Sequence, residues 1–379
     1  LYWRKDGKPV WRNPALLAPE RPAAPVTVDD ARAVADGIAD RLGFGPEFVH
    51  PAYEDPVHWI AKEQELPANV DPLDSKLDDA EERARIARVF ERGLGREAGF
   101  VLPVQRWHAK AGAGWVSERW RLRRNRLFLV PGDSPVGFRL PLSSLPYVPP
   151  TDYPYFIAAD PFAERAPLPD PDEMAQAYER TSVDARRPQV QQRLTFGAAV
   201  RTALSIEPRD GKVHVFMPPV QHLDDYLDLL AAVEATAEEL GLPVQVEGYT
   251  PPWDPRLGVI KVTPDPGVIE VNVHPAASWR ELAEIIGDLY EEARQARLGT
   301  EKFMIDGRHT GTGGGNHVVV GGATPADSPF LRRPDLLKSV VLYWQRHPAL
   351  SYLFSGLFIG PTSQAPRDIA ARHDALSEL

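Results

Sequence analysis

The chain has 379 residues, 43% hydrophobic and 25% charged, an ordinary soluble globular composition with room for two domains. The net charge of -10 leaves no overall basic field for nucleic acid, and the one basic patch, residues 119–130, reads as a strand with a solvated face. With no cysteine, disulfides, thiol nucleophiles and cysteine metal sites are excluded, and a reducing, cytoplasmic compartment fits.

Helices are expected first over 29–44 and 78–95. In the second, Asp78 caps with Glu81 reaching back, Ile86, Val89 and Phe90 share a face, and Gly93 and Gly95 supply the stop. The acidic stretch just before it lacks the glycine that an EF-hand loop needs, so capping and turn formation are the better reading. Residues 126–142 look like two strands joined by a Pro131-Gly132-Asp133 turn. Proline then crowds the chain over 147–195, a linker or surface excursion that divides an N-terminal α+β region, 1–146, from 196–379.

Beyond the boundary a hairpin spans 201–219 around Arg209-Asp210-Gly211, and an amphipathic helix over 223–242 is closed by Gly241. Strands follow at 243–249, 258–264 and 267–275, then a helix over 278–299, a glycine loop, and a helix over 333–348. Strands adjacent in sequence with long helices between them imply an α+β sheet with helices on one face. The longest apolar run, 350–360, is shorter than the ~20 residues of a membrane span. Opening on Leu1 rather than methionine, the chain reads as a piece of a longer reading frame.

Chemistry concentrates in two places. The loop DGRHTGTGGGNHVVVGG, 306–322, is neither a Walker A loop, because Asn316-His317 stands where Lys-Ser/Thr is needed, nor a Rossmann turn, because it opens a strand. Gly313, Gly314 and Gly315 allow close backbone approach to a ligand and deliver Asn316 and His317 at a strand head; a plain connection with a hydrogen-bonded histidine is the alternative. The strand GVIEVNVHP places Glu270, Asn272 and His274 on one side, with Ile269, Val271 and Val273 expected in the core. That polar side is either a site or the wet face of a sheet. Lys261 reads as an exposed strand lysine or a phosphate contact, Glu247 as a solvated carboxylate, and His214 is undecided.

The order Glu270 on its strand, a long helix, TEKFMIDGRHTG and GGGNHVV resembles the core of the glutamine synthetase superfamily. Over essentially its whole length the chain is more similar still to a large bacterial family named as amidoligases, usually C-terminal to a transglutaminase-like domain, through YWRKDGKP, NVDPLDSKLDD, EPRDGKVHVFMPP and TPDPGVIEVNVHPAASW. The resemblance implies a glutamine synthetase-like antiparallel sheet with helices on one face, and makes 196–379 part of a catalytic domain. It implies that a carboxylate and an amine are condensed with ATP through an acyl phosphate on Mg²⁺ or Mn²⁺. Carried over, Glu207, Glu270 and His317 are metal ligands, Arg367 steadies phosphate or substrate, and Gly313, Gly314, Gly315, Asn316, Asn272 and Lys261 face the nucleotide. Small-molecule or peptide substrates, a fused or neighbouring transglutaminase-like domain and a homo-oligomer are implied as partners, with no nucleic acid and no membrane.

Two departures stand out: Val319 replaces the second histidine of the superfamily's H-x-H pair, and Glu207 stands alone where an E-x-E pair is common. They leave two other readings open, a non-catalytic module that binds a peptide or partner protein and a metal-dependent amide hydrolase.

Overall fold

The computed structural model describes residues 1–20, 25–74, 79–109, 112–149, 165–179, 200–265, 268–300, 302–303, 305–307, 309–310, 319–322 and 325–347. In chain order the strands are β1 (Tyr2–Arg4), β2 (His50–Tyr53), β3 (Gly99–Pro103), β4 (Gln105–Ala109), β5 (Gly112–Val116), β6 (Leu127–Phe128), β7 (Ala203–Arg209), β8 (Lys212–Met217), β9 (Val244–Gly248), β10 (Leu257–Val259), β11 (Lys261–Asp265), β12 (Val268–Asn272), β13 (Lys302–Phe303) and β14 (His309–Thr310). The helices are α1 (Val28–Arg41), α2 (Pro56–Glu63), α3 (Ala80–Arg92), α4 (Pro171–Glu179), α5 (Leu223–Leu240), α6 (Trp279–Gln295), α7 (Pro329–Arg332) and α8 (Pro334–Arg346). The chain divides into two compact units, one of Leu1–Gly7, Asp160–Ala166 and Pro255–Leu379, the other of Lys8–Ala159 and Pro167–Asp254.

The larger unit is built on a six-stranded sheet of order β6-β2-β3-β7-β8-β9. Asp210 and Gly211 both take positive φ, 50° and 74°, the two-residue turn that matches strand twist and sets β7 against β8 without slack. The next connection is α5, and its length allows β9 to return parallel to β8. Gly241, at φ 61°, ends α5 where a side chain would be strained. One face of the sheet, with Phe100, Leu204, Ile206, Val213 and Val215, is apolar and buried. α1 covers it, set by a Thr27–Asp30 capping box and packed against α5, with Arg32 over the ring of Phe100. The opposite face carries Val101, Ala203, Ser205, Glu207, His214 and Phe216. Its apolar half lies under Trp120, Leu129, Val136, Leu145 and Val148.

The sheet is mixed rather than antiparallel, because β2–β6 and β8–β9 pair in parallel. β3 pairs with β7, so strands from both sides of the proline-rich stretch share one sheet. The second strand expected within 126–142 is a 3-10 turn, since Pro135 offers no N–H and the Val136 N–H is taken by Glu207. Of the basic stretch 119–130 only Leu127–Phe128 is strand, because Arg124 and Asn125 sit at positive φ. α3 is capped by Asp79, while Asp78, the expected cap, lies outside the described residues, and Phe90 is exposed on a helix that buries Ile86 and Val89.

The smaller unit pairs β1 with β10, β11 with β12 and β13 with β14. Gly258 lets Trp3 close over the chain, as a Cβ there would lie 2.3 Å from the indole. Trp3 in turn meets His274 edge-on at 5.1 Å. The β11–β12 hairpin leaves Val262 60% and Ile269 49% exposed, so its apolar side is not the core that alternation implied. Among the described residues no helix is long and apolar enough to cross a membrane.

A buried ion pair ties the covering segment to the end of β2: Arg139 grips Glu54 with both terminal nitrogens, and Trp59 Nε1 donates to the same carboxylate at 3.1 Å. Removing one partner strands the other charge. Glu54→Ala is expected to cost ~3–5 kcal/mol in urea denaturation, and Glu54→Met with Arg139→Leu to recover most of it.

Candidate active site

The two-residue turn dictates the register: Arg209 faces Lys212, and Glu207 faces His214 across β7 and β8. The parallel pairing of β9 sets Glu247 beside Phe216 on the same face. β8 lies between the two glutamate strands, so their backbones stand two strand spacings apart, roughly 10 Å. Arg209 spans that gap. Its Nη1 donates to Glu207 Oε1 at 2.6 Å, and its Nη2 donates to Glu247 Oε2 at 2.5 Å. The same Nη2 lies 2.8 Å from His214 Nδ1, and that Nδ1 is 3.1 Å from Glu247 Oε2.

The two carboxylates are pushed apart. Burial drives the Glu207 carboxyl above the ordinary value of 4.5, against the opposing pull of Arg209 and the Val136 N–H. Burial also acts on Glu247, but hydrogen bonds from His214 and Arg209, with the Arg209 charge, outweigh it and hold that carboxyl below its ordinary range. Three buried polar atoms on this face, Ser205 Oγ, His214 Nε2 and Glu247 Oε1, have no hydrogen-bond partner. Beside them Phe138, Phe216 and Tyr249 bring their rings together.

The residues expected from sequence fall in three places. Glu207 belongs to this cluster. Glu270 and Asn272 share the polar side of β12 as alternation implied, Asn272 Nδ2 donating to Glu270 Oε1 at 2.9 Å, with Lys261 opposite Asn272 in register. All three are exposed, and His274 lies past the end of the strand. Gly313, Gly314, Gly315, Asn316, His317 and Arg367 lie outside the described residues. Glu247 is an ion-paired, half-buried group rather than a solvated carboxylate. Sequence reading missed Arg209, yet counting outward from Asp210-Gly211 would have found it and the Glu207–His214 pair. Glu247 had no such signal, since the β8–β9 pairing is not local.

A divalent ion does not fit what is described. Arg209 occupies the space between the carboxylates, and among the described residues no group of three His, Asp or Glu side chains could hold a metal. A buried pair of acids sharing one guanidinium, with spare acceptors, suits proton transfer and binding of a cationic group.

The whole chain, residues 1–379, matches the family described as "Putative amidoligase enzyme (DUF2126)". The chain belongs to that family. No curated protein and no solved structure matches it.

The split glutamates give a signed pH dependence. Glu247 contributes stability that is present above 4.5 and is lost as pH falls through its lowered folded value. Glu247→Gln is therefore expected to lose about 1 kcal/mol at pH 7, with the deficit vanishing in acid. Glu207 does the opposite: its contribution is full below 4.5 and is lost as pH rises through its raised folded value. Glu207→Gln should match the parent in acid and exceed its stability at pH 7, as read by denaturation at a series of pH values.

Proposed function

We propose that this chain is an ATP-dependent amidoligase whose β7–β8–β9 face is the amine side of the reaction. The observation that carries the reading is the pair of glutamates with opposed proton affinities on one sheet face, bridged by Arg209. Amide formation in water faces two obstacles: a carboxylate is a poor electrophile, and an ammonium has no lone pair. ATP would overcome the first by transferring its terminal phosphoryl group to the carboxylate, giving an acyl phosphate and ADP. One proton must leave the ammonium to free its lone pair; the amine then attacks the acyl carbon, phosphate leaves, and a second proton leaves the nitrogen.

Glu207 is suited to take the first of these protons, since burial raises its basicity above that of an ordinary carboxylate. Glu247, kept ionised, holds Arg209 in place and offers Oε1 to the ammonium. No step is assigned to a metal ion, because the described residues do not assemble a site for one. The likeness to the glutamine synthetase superfamily supports roles for Glu270, Asn272, Lys261, His317, Arg367 and the glycine loop in holding the phosphoryl donor. It also supports that superfamily's fold, a fused or neighbouring transglutaminase-like domain, and a homo-oligomer.

One observation favours a second reading, a partner-binding module: Trp279, Tyr343 and Trp344 are 75%, 56% and 49% exposed on α6 and α8. Turnover separates the two. With ATP and a panel of amines and carboxylates, ADP release and amide mass should appear together, and Glu207→Gln should lower kcat by about 10²–10⁴-fold. A folded protein that captures a partner and hydrolyses no ATP would contradict the ligase.

A further inference from the structure

Resting on the reading of this face as the amine side, we infer that the amine is a primary alkylammonium on an apolar stem, of the lysine side-chain type, received between Glu247 and the aromatic rings of Phe138, Phe216 and Tyr249. The rings form a triangle. Phe138 and Phe216 meet edge-on at 4.7 Å, and Tyr249 lies 6.0 Å from Phe216 and 6.1 Å from Phe138.

Two glycines build this arrangement. A Cβ on Gly137 would fall 2.1 Å from the Phe216 ring. One on Gly248, where φ is +97°, would fall 2.7 Å from the Met217 backbone. The triangle is joined to the acid pair on both sides. Phe138 follows Val136, whose N–H donates to Glu207, and Tyr249 follows Glu247, the register partner of Phe216.

The chemistry selects the ligand. Two ionised carboxylates against one guanidinium leave one uncompensated negative charge, so a monocation is matched. An α-amino acid would bring its own carboxylate against Glu207 and Glu247. Free ammonium would leave the rings unused, although Phe138 is 61% and Tyr249 46% exposed with no burial to explain them. A cation on an alkyl stem uses both the ring faces and the acid. His214, 7% exposed with Nε2 unpaired, and the unpaired Glu247 Oε1 are buried polar atoms on the same face.

The test is calorimetric titration of the full chain with n-butylammonium chloride, alone and with a non-hydrolysable ATP analogue, beside ammonium chloride, glycine and n-butyrate. Saturable binding of butylammonium alone is expected. Phe138→Ala and Tyr249→Ala should each weaken it about three- to tenfold, and Glu247→Gln about tenfold or more. Equal binding of ammonium, indifference to both aromatic substitutions in folded variants, or no butylammonium binding in either condition would overturn the inference. Amide formation with an unchanged amine KM in Phe138→Ala and Tyr249→Ala would overturn it while leaving the ligase standing. Butylammonium binding with no ATP-dependent product would do the reverse.

Discussion

Arg209 is the constraint on which the site depends. Its guanidinium reaches from the end of β7 across β8 to β9, and without it Glu207 and Glu247 would be two separate carboxylates on a partly buried face. Desolvation acts on both, yet Glu247 receives the stronger set of donors and stays ionised while Glu207 is left the more basic. One fixed cation thus turns two like residues into an acid–base pair of unequal strength. It also explains why these carboxylates do not make a divalent-ion site, since the position between them is taken.

The frame that holds Arg209 is set by short-range chemistry. The Asp210-Gly211 turn allows one register, and that register puts Glu207 opposite His214. Behind the sheet, α1 and α5 approach closely at Gly37, where a Cβ would come 2.7 Å from Thr236. In front, Glu54 and Arg139 anchor the segment that carries Val136, Gly137 and Phe138 onto the polar face. Fold and site share residues here: the N–H that stops residues 135–138 from becoming a strand is the one that Glu207 accepts.

Much of this was legible in the sequence, and the limits have physical causes. α1, α5 and α6 follow from capping residues and 3.6-residue periodicity, and β7–β8 from its turn. Interactions between residues distant in the chain were not legible. β3 joining β7, β9 running parallel to β8, and hence Glu247 meeting Arg209, depend on tertiary pairing that no local pattern encodes. Alternation in β12 showed which residues share a side but not that Ile269 would be exposed, because burial depends on what covers the strand. His317 and Arg367 came from likeness to a family and belong to the proposal of a phosphoryl donor.

The most direct test is a carbon-13 NMR titration of the Glu207 and Glu247 carboxyls in the full chain, each assigned by its glutamine variant. One carboxyl should titrate above 4.5 and the other below, and Arg209→Met should bring both upward. Two carboxyls that titrate together at the ordinary value, unmoved by Arg209→Met, would contradict the Arg209-bridged pair and with it the assignment of this face as the amine side of a ligase.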